Sequence, residues 1–163
     1  MVLVVDVGNT RIKGAVFEDA ILLEVFIFTK SELKINIESI LKKFKNVSDL
    51  VVSSVGDVEK LSFLAFENLL NVHFISNNDP FPYQNKYETP RTLGIDRIVL
   101  ATGATLQFPN QNRLVIDAGT CITYDFIDEK NNYLGGSISP GLRLRYEALH
   151  NFTAKLPLLS LED

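Results

Sequence analysis

The sequence predicts an α/β chain built as two lobes, each opening with the same strand, turn, strand hairpin. Three observations carry that expectation. "LVVDVGNT" at 3–10 and "LVIDAGT" at 114–120 share an apolar strand, an Asp, a small apolar residue, a Gly and a Thr. Strand-like and helix-like segments alternate between the two copies, the pattern of an α/β unit. The aspartates, Asp6 and Asp117, lie a lobe's length apart, which suits duplication of a unit better than a short tandem repeat.

Taken in order, residues 2–8, 11–17 and 20–28 are β-branched and aromatic runs separated by "GNT" and "EDA", a three-stranded meander. "SELKINIESILKKF" follows, with Ser31 as its expected cap and Leu33, Ile37, Ile40, Leu41 and Phe44 at helical spacing. "DLVVSSVG" reads as a buried strand, "DVEKLSFLAFENLL" as a second helix capped by Asp57, and "VHFIS" at 72–76 as a short strand. Residues 77–93 contain three prolines and many polar side chains, and are expected to form a long ordered loop of the sort that carries function. A helix from Gly94 to Phe108 comes next, and "RLVIDAGTCITYDFIDEKNNYLGGSISP" then returns to strands and turns. "GGSISPG" at 135–141 reads as a bulged strand and a helix start, with Pro140 near the first helical turn. The expected lobes are 1–111, which includes a substrate loop at 77–97, and 112–163.

Composition narrows the function classes. The chain has 163 residues, 46% hydrophobic and 22% charged, the balance of a globular protein with a real core. A net charge of −4, with no Lys/Arg-rich block, argues against a nucleic-acid partner. The single cysteine, Cys121, excludes an intramolecular disulfide and a cysteine-based zinc cluster, and is expected to be a buried, inert thiol in a reducing compartment. Asp6 interrupts the first apolar run, which therefore reads as neither a signal peptide nor a membrane span; a cytoplasmic location is expected. His73 and His150 lack partners at metal-ligand spacing and are expected to be structural.

The hairpins themselves suggest chemistry. Glycine lets the backbone approach a ligand and turn N–H groups toward it, Thr adds a hydroxyl, and an Asp at a strand end can hold a hydrated Mg²⁺ or another cation. One such turn is an ordinary Gly/Asn hairpin as readily as a site; two matching copies favour a grip on nucleotide phosphates. Lys13 either meets a phosphate or sits in water, and Arg143 and Arg145 are expected to be solvated or interfacial.

"YETPRTLGIDR" sets a carboxylate and a guanidinium side by side after a glycine. Arg can hold a carboxylate through two parallel hydrogen bonds, and Asp within reach of an alcohol can take its proton. A surface salt bridge at a helix start is the alternative for this segment alone.

Taken together, "DVGNTRIK", "YETPRTLGIDR", "DAGTCITYD", "YLGGSISPG" and "TAKLP", in that order and over essentially the whole chain, resemble the type III pantothenate kinases. Those enzymes are members of the acetate kinase, sugar kinase, heat-shock chaperone and actin superfamily. The resemblance implies two ribonuclease-H-like lobes of the actin-like ATPase superfamily that bind ATP and phosphorylate pantothenate in the first step of coenzyme A synthesis. Matched motif by motif, it implies that Asp6, Val7, Gly8, Asn9, Thr10, Arg11, Ile12 and Lys13 form the first phosphate-binding element, with Mg²⁺ near Asp6. Thr120 would contact ATP from the other side, and Asp117 would bind a monovalent cation, K⁺ or NH₄⁺. Tyr87, Gly94, Ile95, Asp96 and Arg97 would line the pantothenate site, with Asp96 as catalytic base and Arg97 on the pantothenate carboxylate. A homodimer is implied as well. Relative to that family the second lobe is expected to be incomplete, without the threonine that contacts pantothenate and the glycine-rich stretch near the adenine, so that a bare second sheet exposes apolar surface and promotes association. The alternative reading is a non-catalytic nucleotide-binding or regulatory member of the superfamily, or an inactive fragment.

Overall fold

A computed structural model describes residues 1–54 and 60–160. The chain clusters into two compact units, Met1–Asp79 with Gly94–Asp96, and Pro80–Leu93 with Arg97–Asp163.

The first unit carries a five-stranded sheet made by β1 (Val2–Val7), β2 (Ile12–Glu18), β3 (Ile21–Phe28), β4 (Asp49–Ser54) and β5 (Asn71–Phe74). Their spatial order is β3-β2-β1-β4-β5. The first three strands form the expected antiparallel meander, while β4 pairs parallel to β1 and β5 parallel to β4. Alternation along β1 buries Leu3, Val5 and Val7 completely on one face and leaves Val4 and Asp6 half-buried on the other. Leu33, Ile37 and Ile40 of α1 (Leu33–Lys43) join that core at positions one and two turns apart, together with Phe63, Phe66 and Leu70. Asp19 turns the β2–β3 corner at φ 52°, a conformation that a short polar side chain tolerates.

Two details of this unit differ from expectation. α1 is not capped by Ser31: a 3₁₀ turn over Lys30–Glu32 precedes it, and both the Thr29 N–H and the Thr29 hydroxyl donate to Glu32 Oε2, at 2.9 and 2.8 Å. Glu32 sits three residues after Thr29, where its ionised carboxylate can reach back for two charge-assisted bonds; the Ser31 hydroxyl only meets Thr29 Oγ1. The second helix, α2 (Lys60–Leu64), ends sooner than its pattern suggested and tightens into turns in which Phe66 N–H donates to Phe63 O and Leu69 N–H to Phe66 O. Its expected cap, Asp57, lies outside the described residues.

The second unit carries a four-stranded sheet, β6 (Gln84–Asn85), β7 (Arg113–Ala118), β8 (Cys121–Ile127) and β9 (Asn132–Pro140), in the order β6-β9-β8-β7. β7, β8 and β9 are an antiparallel meander, and β6 adds parallel to β9. The segment expected to be wholly loop thus contributes an edge strand, because the prolines flank residues 83–89 and leave their N–H groups free to donate: Gln84 to Asn131 O at 2.8 Å and Lys86 to Tyr133 O at 2.9 Å. For the same reason residues 80–93 cluster with the second sheet, as does the helix α3 (Ile95–Gln107) from Arg97 onward, so the contacts divide the chain elsewhere than at 111.

Ile98, Ala101 and Thr105 form the buried stripe of α3. Arg113 fastens its far end: buried, it donates to Thr105 O from Nη1, and to Asp128 O and Asn131 Oδ1 from Nη2. Pro140 ends β9 just before the first helical turn, as expected; Gly141 caps α4 (Leu142–Asn151), and Arg145 Nε donates to Pro140 O at 2.8 Å. Cys121 is exposed, not buried, because it begins β8 at the end of the ladder opposite Pro140. The other side of this sheet leaves Leu114, Ile116, Phe126 and Leu134 exposed, the apolar surface expected of a bare sheet.

No helix among the described residues is long and apolar enough to cross a membrane. Because Ile37 is fully buried at the centre of the first core, Ile37→Ala should lower stability by about 2–5 kcal/mol in urea titration, with an unchanged m-value; a loss below 0.5 kcal/mol would show that α1 does not anchor this sheet.

Candidate active site

Asp6, next to last in β1, sits opposite Lys13 on β2 and Ser53 on β4. Ser53 Oγ donates to Asp6 Oδ1 at 3.2 Å, so the carboxylate is held at the strand end. The chain then reverses through a tight turn closed by Gly8 N–H to Arg11 O at 3.2 Å. A Cβ on Gly8 would lie 3.0 Å from that same carbonyl, which explains the glycine. Asn9, Thr10, Arg11 and Lys13 are exposed, whereas Val7 and Ile12 are fully buried. The two apolar residues therefore anchor the turn from within the core.

The second hairpin repeats this in the other unit. Asp117 pairs in register with Thr123 near the end of β7, and Gly119 N–H donates to Cys121 O at 2.8 Å to close the turn. Asp117, Gly119 and Thr120 are exposed. Here the start of α4 packs directly on the turn: Gly141 N–H donates to Thr120 O at 3.0 Å, and a Cβ on Gly141 would collide with the Gly119 and Thr120 carbonyl oxygens. The first turn of a ten-residue helix, with its partial positive charge, is thereby fixed beside an exposed threonine, an arrangement suited to an anion.

Gly94, Ile95 and Asp96 are half-buried at the start of α3. The Asp96 carboxylate folds back over Gly94 so closely that its Oδ1 occupies the space a Cβ there would need. A glycine two residues before this aspartate is thus a steric requirement of its side-chain pose.

Arg97 stands differently from expectation. It is buried, 5% exposed, and its Nε and Nη2 both donate to the carboxylate of Asp125, which is 1% exposed. The guanidinium expected at a substrate carboxylate is instead engaged by an internal one. Burial works against its charge, but the Asp125 hydrogen bonds and charge prevail and raise its pKa. Asp125 also accepts from the Tyr133 hydroxyl, and burial followed by that bond pushes the Tyr133 pKa well above the usual phenol range. Tyr83 stacks between Phe81 and Tyr133, donates to Ile98 O at 3.3 Å, and is pushed by burial up to about 12. Tyr87 is half-buried beside these groups, 5.8 Å from its ring centroid to the Arg97 guanidinium carbon.

Sequence reasoning missed Asp125, Tyr133 and the role of Gly141. A signal existed for the first: Asp125 occupies the inward register of β8, between Thr123 and Ile127, where an acid needs a partner. His73 Nε2 lies 3.0 Å from Asp79 Oδ2 and His150 Nδ1 2.8 Å from Leu156 O. Arg143 is solvated and pairs with Glu147. Among the described residues no group of three His, Cys, Asp or Glu could hold a metal ion, so a cation at Asp6 or Asp117 would complete its shell with water and phosphate oxygens.

The family model for type III pantothenate kinase matches residues 2–163. A type III pantothenate kinase of Flavobacterium johnsoniae is 73% identical over 163 residues, covering 100% of this chain and 67% of that protein. Those of Flavobacterium psychrophilum and Bacteroides fragilis are 55% and 40% identical, covering 68% and 66% of their own lengths. The chain thus spans about two thirds of these relatives. Among solved structures, one described as a Baf family transcriptional activator from Campylobacter jejuni aligns with a TM-score of 0.54 at 27% identity, over 92% of this chain and 59% of that one. The Ppx/GppA phosphatase of Aquifex aeolicus aligns with a TM-score of 0.52 at 14% identity, over 91% and 54%, a likeness of fold.

Two outcomes follow from the Gly141 contact and the Tyr83 shift. Gly141→Ala, which drives a methyl group into two carbonyl oxygens, should lower stability by about 1–3 kcal/mol; a melting temperature equal to that of the parent would remove the tight α4 contact. Tyr83, whose folded pKa of about 12 exceeds its unfolded value of about 10, binds its proton more tightly when folded. Its contribution is therefore complete below pH ~10 and is lost as pH rises toward ~12, and Tyr83→Phe should flatten that part of the stability profile. Melting curves across this range, with phenolate absorbance, check the sign.

Proposed function

The chain belongs to the type III pantothenate kinase family, whose activity is phosphorylation of pantothenate in coenzyme A synthesis, and from that premise we propose that its own residues transfer the γ-phosphoryl group of ATP to the primary alcohol of pantothenate, giving 4′-phosphopantothenate. The observation that carries this reading is the Asp117–Thr120 turn seated against the start of α4, a ready anion site on the second copy of a duplicated motif.

In this reading Asp6 to Lys13 are ATP phosphate-binding residues, and Thr120 is an ATP-binding residue as well. Asp6 is the carboxylate for Mg²⁺ and Asp117 that for K⁺ or NH₄⁺. Such cations, when bound, neutralise phosphate charge. Phosphoryl transfer leaves the protein mainly the work of positioning and electrostatic stabilisation. Asp96, held over Gly94, accepts the proton of the attacking alcohol. Tyr87, Gly94 and Ile95 line the pantothenate site, and Arg97, with Nε and Nη2 on Asp125, forms its wall rather than its carboxylate clamp. A cytoplasmic homodimer without nucleic-acid partners completes the proposal, in keeping with the charge of −4.

A regulatory reading has one observation in its favour, the transcriptional-activator description of the Campylobacter neighbour. Coupled ADP release, with and without pantothenate and with K⁺ or Na⁺, separates the two. Asp96→Asn should keep the melting temperature and ATP affinity and lose ~10²–10⁴ in kcat. Full activity in that variant would end the base assignment, while ATP binding without pantothenate-dependent turnover would favour regulation.

A further inference from the structure

Asp125 belongs to none of the motif positions assigned to ATP, cation or pantothenate. It nevertheless sits at the centre of a buried polar cluster whose members all lie in the second unit. From β8 it receives Nε and Nη2 of Arg97 and the hydroxyl of Tyr133. Arg97 in turn lies over one side of the Tyr87 ring, and Tyr133 meets that ring edge-on at 6.4 Å between centroids. Gly135, at φ +100°, completes the enclosure: a Cβ there would stand 3.1 Å from Tyr87 Cδ2. The backbone of Tyr87 is fixed by its N–H donating to Asn85 Oδ1 at 3.0 Å, next to the β6–β9 pairing. The orientation of Tyr87 is thus set by two side chains that both terminate on one carboxylate.

Stability alone does not account for that carboxylate, since buried ion pairs are commonly replaceable by apolar residues at no loss. Substrate-lining side chains, by contrast, need packing and hydrogen bonds behind them to hold a productive pose.

We propose that Asp125 is a positioning residue for the pantothenate site, holding Arg97 and, with Tyr133, the Tyr87 ring in the pose that receives the substrate. The inference rests on the assignment of Tyr87 to pantothenate, and the two can fail separately. In steady-state kinetics, Asp125→Asn should raise KM for pantothenate by about tenfold or more, leaving KM for ATP within about twofold, because displacement of a positioning group acts on the substrate it orients. Tyr133→Phe, which removes one hydroxyl and keeps the ring, should give a smaller shift of the same kind. Equal changes in both KM values, or a lowered melting temperature with KM for pantothenate untouched, would overturn the proposal. If the parent chain shows no pantothenate-dependent turnover or binding, the assignment of Tyr87 to pantothenate fails instead. The Tyr87 ring and Arg97 Nε–H resonances in NMR spectra of Asp125→Asn then decide the positioning: both should move, and a Tyr87 ring unmoved while Arg97 shifts would overturn it.

Discussion

A guanidinium and a carboxylate, both withdrawn from water, set the terms on which the second unit is built. Arg97 comes from the first turn of α3 and Asp125 from the middle of β8, so their ion pair ties the helix to the sheet at one point. Taking either charge out of water alone would cost several kcal/mol, and removing one partner of such a pair typically costs about 3–5 kcal/mol. The pair therefore tolerates little freedom in how α3 lies on this sheet. Arg113 repeats the device at the other end of the helix, joining the Thr105 carbonyl to the β8–β9 corner. Between these two arginines Ile98 and Ala101 supply ordinary apolar contact.

The duplicated hairpins solve one problem in two ways. Each must present polar groups at a turn while keeping the strands fixed. In the first, the fully buried Val7 and Ile12 bracket the exposed Asn9, Thr10 and Arg11, so hydrophobic burial anchors the turn from below. In the second, Ala118, Gly119, Thr120 and Cys121 are all exposed, and support comes instead from Gly141 and the start of α4. Loss of apolar anchoring is offset by backbone hydrogen bonding, and the helix terminus brings its partial positive charge to the turn as a by-product.

Much of this was legible in the sequence. Runs of β-branched and aromatic residues located β1 to β5, the repeated "D-x-G" turns marked the second sheet, and the spacing of Leu33, Ile37 and Ile40 gave α1. What escaped was set by partners far along the chain. Nothing local in "YQN" signals a strand, because β6 exists only where β9 offers it carbonyls. Arg97 looked like a ligand clamp because its neighbourhood of Gly94 and Asp96 is visible in sequence, whereas Asp125 is not adjacent to it. Ser31 was the expected cap, yet the bonds are made at Thr29, which has an acid three residues onward. Local chemistry was readable, and pairings between distant segments were not.

The parallel pairing of β6 with β9 also orders events in time. Gln84 and Asn85 find their partners only when Asn132 and Tyr133 have been made, so this strand waits while much of the intervening chain is synthesised. Contacts of such long sequence separation close a large loop and form slowly. The first meander, β1 to β3, has all its partners within its own short stretch and can form early. Tyr87, two residues beyond β6, therefore lies beside a pairing that waits on chain far downstream, whereas the β1–β2 turn does not.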